Sequence, residues 1–422
     1  MRYRVKQQLR VLHAGGPGDV VAAHQDWERG IETVSEVSRT VSGQVADCCE
    51  AIGARLWCIS RNSRPAIIRQ GAFVFENRPR WGEKNGGVLW HASQFVYAMR
   101  LLLSAIQFRA NVVVVDSGTT HWFFLAAFRV FGIKVIPLLH NALWPRGFRP
   151  QGWRKSWIKV LDGWFWRRVA DATIAVSSTC LEQVKQIAVP SGPCGPLFEC
   201  RYQFREALFD GIKVPPTDFN PFCILFAGRI TRSKGVFDIL EIAKLLEQVL
   251  TGICRWELCG GGPDLDELRK TSSEARLDAV VRILGRLDRH AMADAYGRSH
   301  AVIVPTRGDS EFCEGLPLVI AEAVLSGRPV ITSHLTNASD AVGDCIVEVE
   351  PHNLQQYAQA IEQLVRDADL YHRKQKATIG LRKQFVDGER GLSIVLREVF
   401  QSIGLIPPCP TSLGNNTLER TS

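Results

Sequence analysis

Glu311-Phe-Cys-Glu314-Gly-Leu-Pro317-Leu-Val-Ile-Ala-Glu322-Ala-Val-Leu-Ser-Gly327 carries the start and the stop of a helix in its own residues. Pro317 suits the first turn, where its missing N–H would lack a partner in any case. Gly327 suits the left-handed residue that closes the last turn. Between them Leu318, Val319, Ile320, Ala321, Ala323, Val324 and Leu325 are apolar nearly all the way round, which predicts a buried helix. Glu322 interrupts that run, and a buried carboxylate is costly unless something bonds it. From the residues alone, Glu322 either points outward or is held by a ligand. Glu314, followed by Gly315 and Leu316, sets an acid, a pliable backbone and free N–H groups at the positive end of the helix. Those are the makings of an anion site.

Working outward, the 222–227 run predicts a buried strand that ends in Gly228-Arg229 and is followed by Ser233-Lys234-Gly235. Val236, Ile239, Leu240, Ala243, Leu246 and Val249 then recur at helical spacing. Two cations fixed at a helix start can neutralise a departing diphosphate. The P-loop pattern is absent, which excludes that nucleotide site. A strand at 255–259 runs into Gly260-Gly261-Gly262-Pro263. Asp264 and Asp266 have the DxD form, but both fall in a first helical turn, where the dipole favours acids, so no metal is assigned to them. Strands are expected at 283–285, 302–305 and 329–332, and helices at 355–369, 371–386 and 389–403.

In the N-terminal half, a strand at 10–13 enters Ala14-Gly15-Gly16-Pro17-Gly18, whose glycines let backbone approach a ligand. It is not a dinucleotide fingerprint, which argues against a nicotinamide-dependent oxidoreductase. Ile31, Val34, Val37, Val41, Val45, Cys48 and Ile52 predict an amphipathic helix over 31–52. A strand follows at 56–60, and 61–85, rich in Arg, Pro, Gly and Asn, reads as a long loop. Buried strands at 112–115 and 134–139 end in Asp116-Ser117-Gly118 and His140-Asn141. Such alternation predicts a parallel doubly wound sheet with ligands at the strand C-terminal ends. A lone histidine there is more often structural than functional.

Segment 143–169 carries Trp144, Trp153, Trp157, Trp164 and Trp166 among Arg146, Arg149, Arg154, Lys155, Lys159, Arg167 and Arg168, with Asp162 as its one acid. Interleaved rings and cations suit contact with an anionic membrane surface. A core helix with a solvated basic face is the equal alternative. No nucleic-acid reader surrounds the segment, so no nucleic-acid partner is expected.

The chain of 422 residues can bury two cores, and 46% apolar with 22% charged residues describes an ordinary globular protein. Pro and Gly are dense at 190–196 and 214–221, which places a domain boundary near Pro215. No secretory leader and no apolar run of membrane-spanning length is read. Twelve cysteines without a CxxC pair read as reduced, buried thiols rather than a zinc site. The net charge of +8 favours anionic partners.

Glu314-x7-Glu322, Gly228-Arg229-x4-Lys234-Gly235 and Gly260-Gly261-Gly262-Pro263 together resemble retaining GT-B glycosyltransferases of glycosyltransferase family 4 (glycosyl transferases group 1). The resemblance implies an α/β GT-B fold, two Rossmann-like doubly wound domains facing a central cleft. It divides the chain into 1–215, an acceptor-binding domain; 216–388, a nucleotide-sugar-binding domain; 389–405, a helix crossing back; and 406–422, a disordered tail. It implies hexosyl transfer, with retention, from a nucleotide diphosphate sugar such as a UDP-sugar to a glycan or lipid-linked acceptor, in polysaccharide or glycolipid synthesis. No metal or other cofactor is required. Arg229 and Lys234 would hold the leaving diphosphate with the Gly315 and Leu316 N–H groups. Glu322 would bond the ribose, and Glu314 and His140 would contact the donor sugar. Gly15, Gly16, Gly228 and Gly262 would lie against the donor. The expected location is the cytoplasm, with peripheral membrane contact through 143–169. A sugar-nucleotide epimerase on the same fold and a non-enzymatic membrane-surface scaffold are the alternatives.

Overall fold

Short, fully buried apolar runs pair in parallel. In the computed structural model, which describes residues 8–28, 40–82, 86–144, 152–188, 194–307 and 315–408, they build two sheets. The first contains β1 (Arg10–Ala14), β2 (Arg55–Ser60), β3 (Ala66–Gln70), β4 (Phe73–Asn77), β5 (Val112–Asp116), β6 (Lys134–Leu139), β7 (Thr173–Ala175) and β8 (Leu197–Glu199). Its order is β3-β4-β2-β1-β5-β6-β7-β8. The second contains β9 (Phe222–Ala227), β10 (Cys254–Cys259), β11 (Val281–Gly285), β12 (Ala301–Val304), β13 (Val330–Ser333) and β14 (Ile346–Val349), in the order β11-β10-β9-β12-β13-β14. All pairings within the sheets are parallel except β3 with β4. Strand order reverses between β1 and β5 and between β9 and β12, where doubly wound sheets open a ligand crevice.

Each sheet is buried on both faces. On one face of the first, Tyr97 and Leu101 of helix Gly87–Phe108 and Phe165 and Trp166 of helix Trp153–Arg168 pack on Leu12, Val113 and Val135. On the other, Val45 and Cys48 of helix Val41–Ala51 meet Leu392, Val395, Leu396, Val399 and Phe400 of helix Leu392–Ser402. The last described helix therefore belongs to the first core, and the Leu392 N–H donates to Gln44 Oε1 at 2.9 Å. Five buried apolar side chains, at roughly 1.5–3 kcal/mol each, give this return gross stabilisation on the order of 10 kcal/mol.

Several expectations need correction. Segment 61–85 is not a loop throughout: Ala66–Gln70 and Phe73–Asn77 form an antiparallel hairpin turned at Gly71 (φ 54°), and residues 83–85 lie outside the described part. Its β-branched and aromatic residues outweigh the flanking Arg and Pro. The helix expected at 31–52 begins only at Val41, where Thr40 Oγ1 accepts from the Gly43 N–H at 3.0 Å; residues 31–39 lie outside the described part. Helix Val20–Glu28, helix Arg289–Arg298, β8 and β14 were not anticipated. In segment 143–169, Phe165 and Trp166 are core, whereas Trp157 (63% exposed), Val160 and Trp164 (42%) face outward. The core-helix reading thus holds for the face that carries Phe165 and Trp166. Of the tail, residues 409–422 lie outside the described part.

Candidate active site

Pro317 stands at the N-cap of helix Leu318–Leu325 in extended conformation (φ −60°, ψ 131°), one residue ahead of the first turn, and Gly327 (φ 79°) closes the other end. Just before the helix, Gly315 rests against the first domain. A Cβ there would lie 2.6 Å from the His140 carbonyl oxygen and 2.7 Å from Val176 Cγ2, so only glycine fits. Glu322 is half-buried, and Tyr296 donates its hydroxyl to Oε2 at 2.8 Å. Burial lifts the Glu322 carboxyl above the usual range, and the Tyr296 bond partly offsets this.

Arg229 and Lys234 come from the loop after β9, which backbone packing locks in place. Gly260 (φ 144°) passes so close that a Cβ would sit 1.7 Å from the Gly228 carbonyl oxygen. At Gly235 (φ 72°) a Cβ would meet Pro305 O at 2.0 Å. Arg307 grips Asp238 with both arms of its guanidinium, at 2.7 and 2.6 Å, and its N–H donates to Ser233 O at 2.9 Å. Asp264 accepts from the Arg232 N–H at 2.8 Å, so this acid fastens the same loop.

The first domain contributes a chain of charge that crosses its sheet. His13 on β1 lies 3.0 Å from Asp116 Oδ1 at the end of β5, and 3.3 Å from Cys58 Sγ. Asp116 Oδ2 accepts from the Gly16 N–H at 3.3 Å and lies 3.5 Å from His140 Nε2. Burial by itself would lower the His13 pKa, but the Asp116 charge, Cys58 and their hydrogen bonds hold it at about 10. Burial would raise Asp116, yet His13 and His140 keep it well below the carboxylate range.

These pieces surround a cavity of about 420 Å³ between the two sheets. His140, Gly228, Arg229, Lys234, Gly315, Leu316 and Glu322 all line it, together with Asn141 and Tyr202. Gly15 and Gly16 stand off the cavity: the Gly15 N–H donates to Ile59 O at 2.8 Å, and Gly16 is tied to His140 through Asp116. Gly262 lies behind it, where a Cβ would strike Ile230 O at 2.1 Å. Glu314 lies outside the described residues. Sequence reasoning passed over His13, Asp116 and Tyr296. A histidine inside the apolar run of β1 was a usable signal for the first, while nothing local marks Tyr296. Cations, a helix start and a polar acid on one wall, opposite a histidine on the other, can hold a ligand with a diphosphate and hydroxyls.

Residues 212–380 match the family model for glycosyl transferases group 1. D-inositol 3-phosphate glycosyltransferase 1 of Catenulispora acidiphila is 33% identical over 159 residues, covering 35% of this chain and 37% of that one. The chain thus spans little more than a third of the length of the first curated relatives it matches. Among solved structures, α,α-trehalose 6-phosphate synthase from Burkholderia multivorans superimposes with a TM-score of 0.70 at 13% identity, covering 94% of this chain and 99% of that one. Anabaena HepE in complex with UDP gives 0.63 at 14% identity, covering 95% and 100%. The fold is GT-B.

Proposed function

We propose that this GT-B chain, with its group 1 glycosyltransferase region, is a retaining glycosyltransferase that takes a hexose from a nucleotide diphosphate sugar. The observation that carries this is the convergence of Arg229, Lys234, the start of helix Leu318–Leu325 and Glu322 on one cavity wall, facing His140. The two cations and the helix start take the diphosphate, whose charge grows as the bond to the sugar breaks. Glu322, oriented by Tyr296, accepts hydrogen bonds from the ribose. His140, braced by Asp116, contacts the sugar from the other domain, and Glu314 holds its hydroxyls. The cations occupy the place of a divalent ion, so transfer proceeds in the presence of chelator. A panel of UDP-, GDP- and ADP-sugars tests this: one donor should raise the melting temperature and hydrolyse slowly without acceptor. Epimer release would indicate the epimerase alternative, and no nucleotide binding would indicate the scaffold.

We further propose that the first domain works at an anionic membrane surface in the cytoplasm, on a lipid-linked or glycan acceptor. Trp157, Val160, Leu161 and Trp164 form an exposed apolar face beside the exposed Lys159 and Arg168. No described helix is long and apolar enough to cross a membrane. Rings at headgroup depth with cations beside them favour reversible, salt-sensitive contact.

A further inference from the structure

Beyond the Ser117–Gly118 turn from His140, at the same C-terminal edge of the first sheet, arginines gather from three elements. Arg61 follows β2: its N–H donates to Gly16 O at 3.0 Å, and its guanidinium lies 3.8 Å from where a Gly118 Cβ would stand. Arg78 and Arg80 follow β4, and Arg80, only 7% exposed, donates to the Thr119 carbonyl at 3.3 Å. Arg100 reaches in from helix Gly87–Phe108 to Pro79 O at 3.5 Å. Glu76 is committed to Arg78, at 2.7 and 2.8 Å, and to the Trp57 indole at 3.1 Å.

Tyr97 gives the cluster an unexplained donor. It is 1% exposed, its hydroxyl has no hydrogen-bond partner, and the charges of Arg78, Arg61, Arg100 and Arg80 all bear on it. Burial pushes the phenol up to about 12 against the pull of those charges, so it keeps its proton at neutral pH. Guanidinium groups donate and never accept, and here a buried phenol O–H joins them. Such an array suits an oxygen-rich anion bonded at several points, as phosphate is. Arg61 and Gly16 are neighbours, and Gly16 leads through Asp116 to His140. An anion held at the arginines would therefore sit beside the donor cleft, outside its cation pair.

We propose that Arg61, Arg80, Arg100 and Tyr97 bind the phosphate or pyrophosphate of a phosphorylated acceptor. This rests on the glycosyltransferase reading and narrows its acceptor to an anionic class. The test is calorimetric titration of the full chain with inorganic pyrophosphate, after the donor cleft is saturated with the nucleoside diphosphate it binds best. Pyrophosphate should still bind. Arg61→Gln and Arg100→Gln should each weaken it about tenfold or more, Arg61→Lys should weaken it less, and Arg229→Gln should leave it unchanged. Retained nucleotide affinity shows that the Arg61 and Arg100 variants are folded, and an unchanged far-UV circular dichroism spectrum and melting temperature show it for Arg229→Gln. Binding abolished by Arg229→Gln but not by Arg61→Gln, or absent once nucleotide is bound, overturns the proposal. Failure of the glycosyltransferase reading looks different: no nucleoside diphosphate binds, while pyrophosphate still depends on Arg61. A soluble monosaccharide phosphate and a detergent-dispersed, pyrophosphate-linked polyprenyl sugar, each beside its neutral counterpart, then identify the source of the phosphate. Preference for either charged acceptor supports the site, and equal use of the neutral ones contradicts it.

Discussion

Asp116→Asn keeps the shape of the side chain and removes the charge that His13 and His140 face. The wild-type carboxylate lies 3.0 Å from His13 Nε2 and 3.5 Å from His140 Nε2, and accepts from the Gly16 N–H. Removing one partner of a buried ion pair costs about 3–5 kcal/mol. Asn still accepts one hydrogen bond, so the lower end, about 3 kcal/mol, is expected. For a domain of this size that is a drop of roughly 6–12 °C in Tm. The pH dependence is the sharper sign. His13 is raised to about 10, so its contribution is fully present below its ordinary value near 6.5 and is lost as pH rises through about 10. Asp116 is lowered, so its contribution is present above the ordinary carboxylate value and is lost only in acid. Urea unfolding at several pH values from 6.5 to 10 should show wild-type stability falling while the variant stays nearly flat. A variant within about 0.5 kcal/mol of wild type at pH 6.5, or with the wild-type slope, refutes the ion pair. Because Gly16 and His140 depend on the same carboxylate, kcat should fall more than donor KM rises.

Asp162→Asn should act in the opposite direction. Burial raises this carboxyl to about 7 with Oδ1 buried and unbonded, so its contribution is full below about 4 and gone above about 7. The variant should gain up to roughly 4 kcal/mol by denaturant titration at pH 8, and nothing at pH 4. Gly235→Ala should weaken donor binding at least tenfold without touching any ligand group, because its Cβ would displace the Lys234 loop from Pro305. Trp157→Ser with Trp164→Ser should abolish pelleting with anionic liposomes at low salt; unchanged pelleting would place the contact elsewhere. High salt should release the wild type, since each engaged cation contributes about 1 kcal/mol within a Debye length.

The second domain was legible because its loops are written in backbone requirements. Gly235, Gly260, Gly262 and Gly315 each sit where a Cβ would collide or φ is positive, and such positions call for glycine in the sequence. The limits of strands β6 and β9 were read to the residue, those of β9 because Pro221 and Gly228 bracket its apolar run. The hairpin of β3 and β4 was lost because its strands are short and half exposed, so hydrophobic alternation is weak there. Helix Val41–Ala51 was overextended because apolar spacing carried on past Thr40, and only the cap bond ends it. His13, Asp116 and His140 meet from β1, β5 and β6, a convergence that depends on strand order. No local pattern encodes strand order.

The central claim is that Arg229, Lys234 and Glu322 form a nucleotide-sugar site opposite His140. Calorimetric titration of wild type, Glu322→Gln and Arg229→Gln/Lys234→Gln with the best nucleotide sugar, in EDTA, tests it most directly. Wild type should bind without metal. Glu322→Gln should bind about tenfold or more weakly, and the double variant should lose a hundredfold or more, since charge-assisted bonds contribute roughly 1.5–3 kcal/mol each. Binding in wild type that neither change weakens would contradict the site, and binding that appears only when Mn²⁺ or Mg²⁺ is restored would contradict the role given to the two cations.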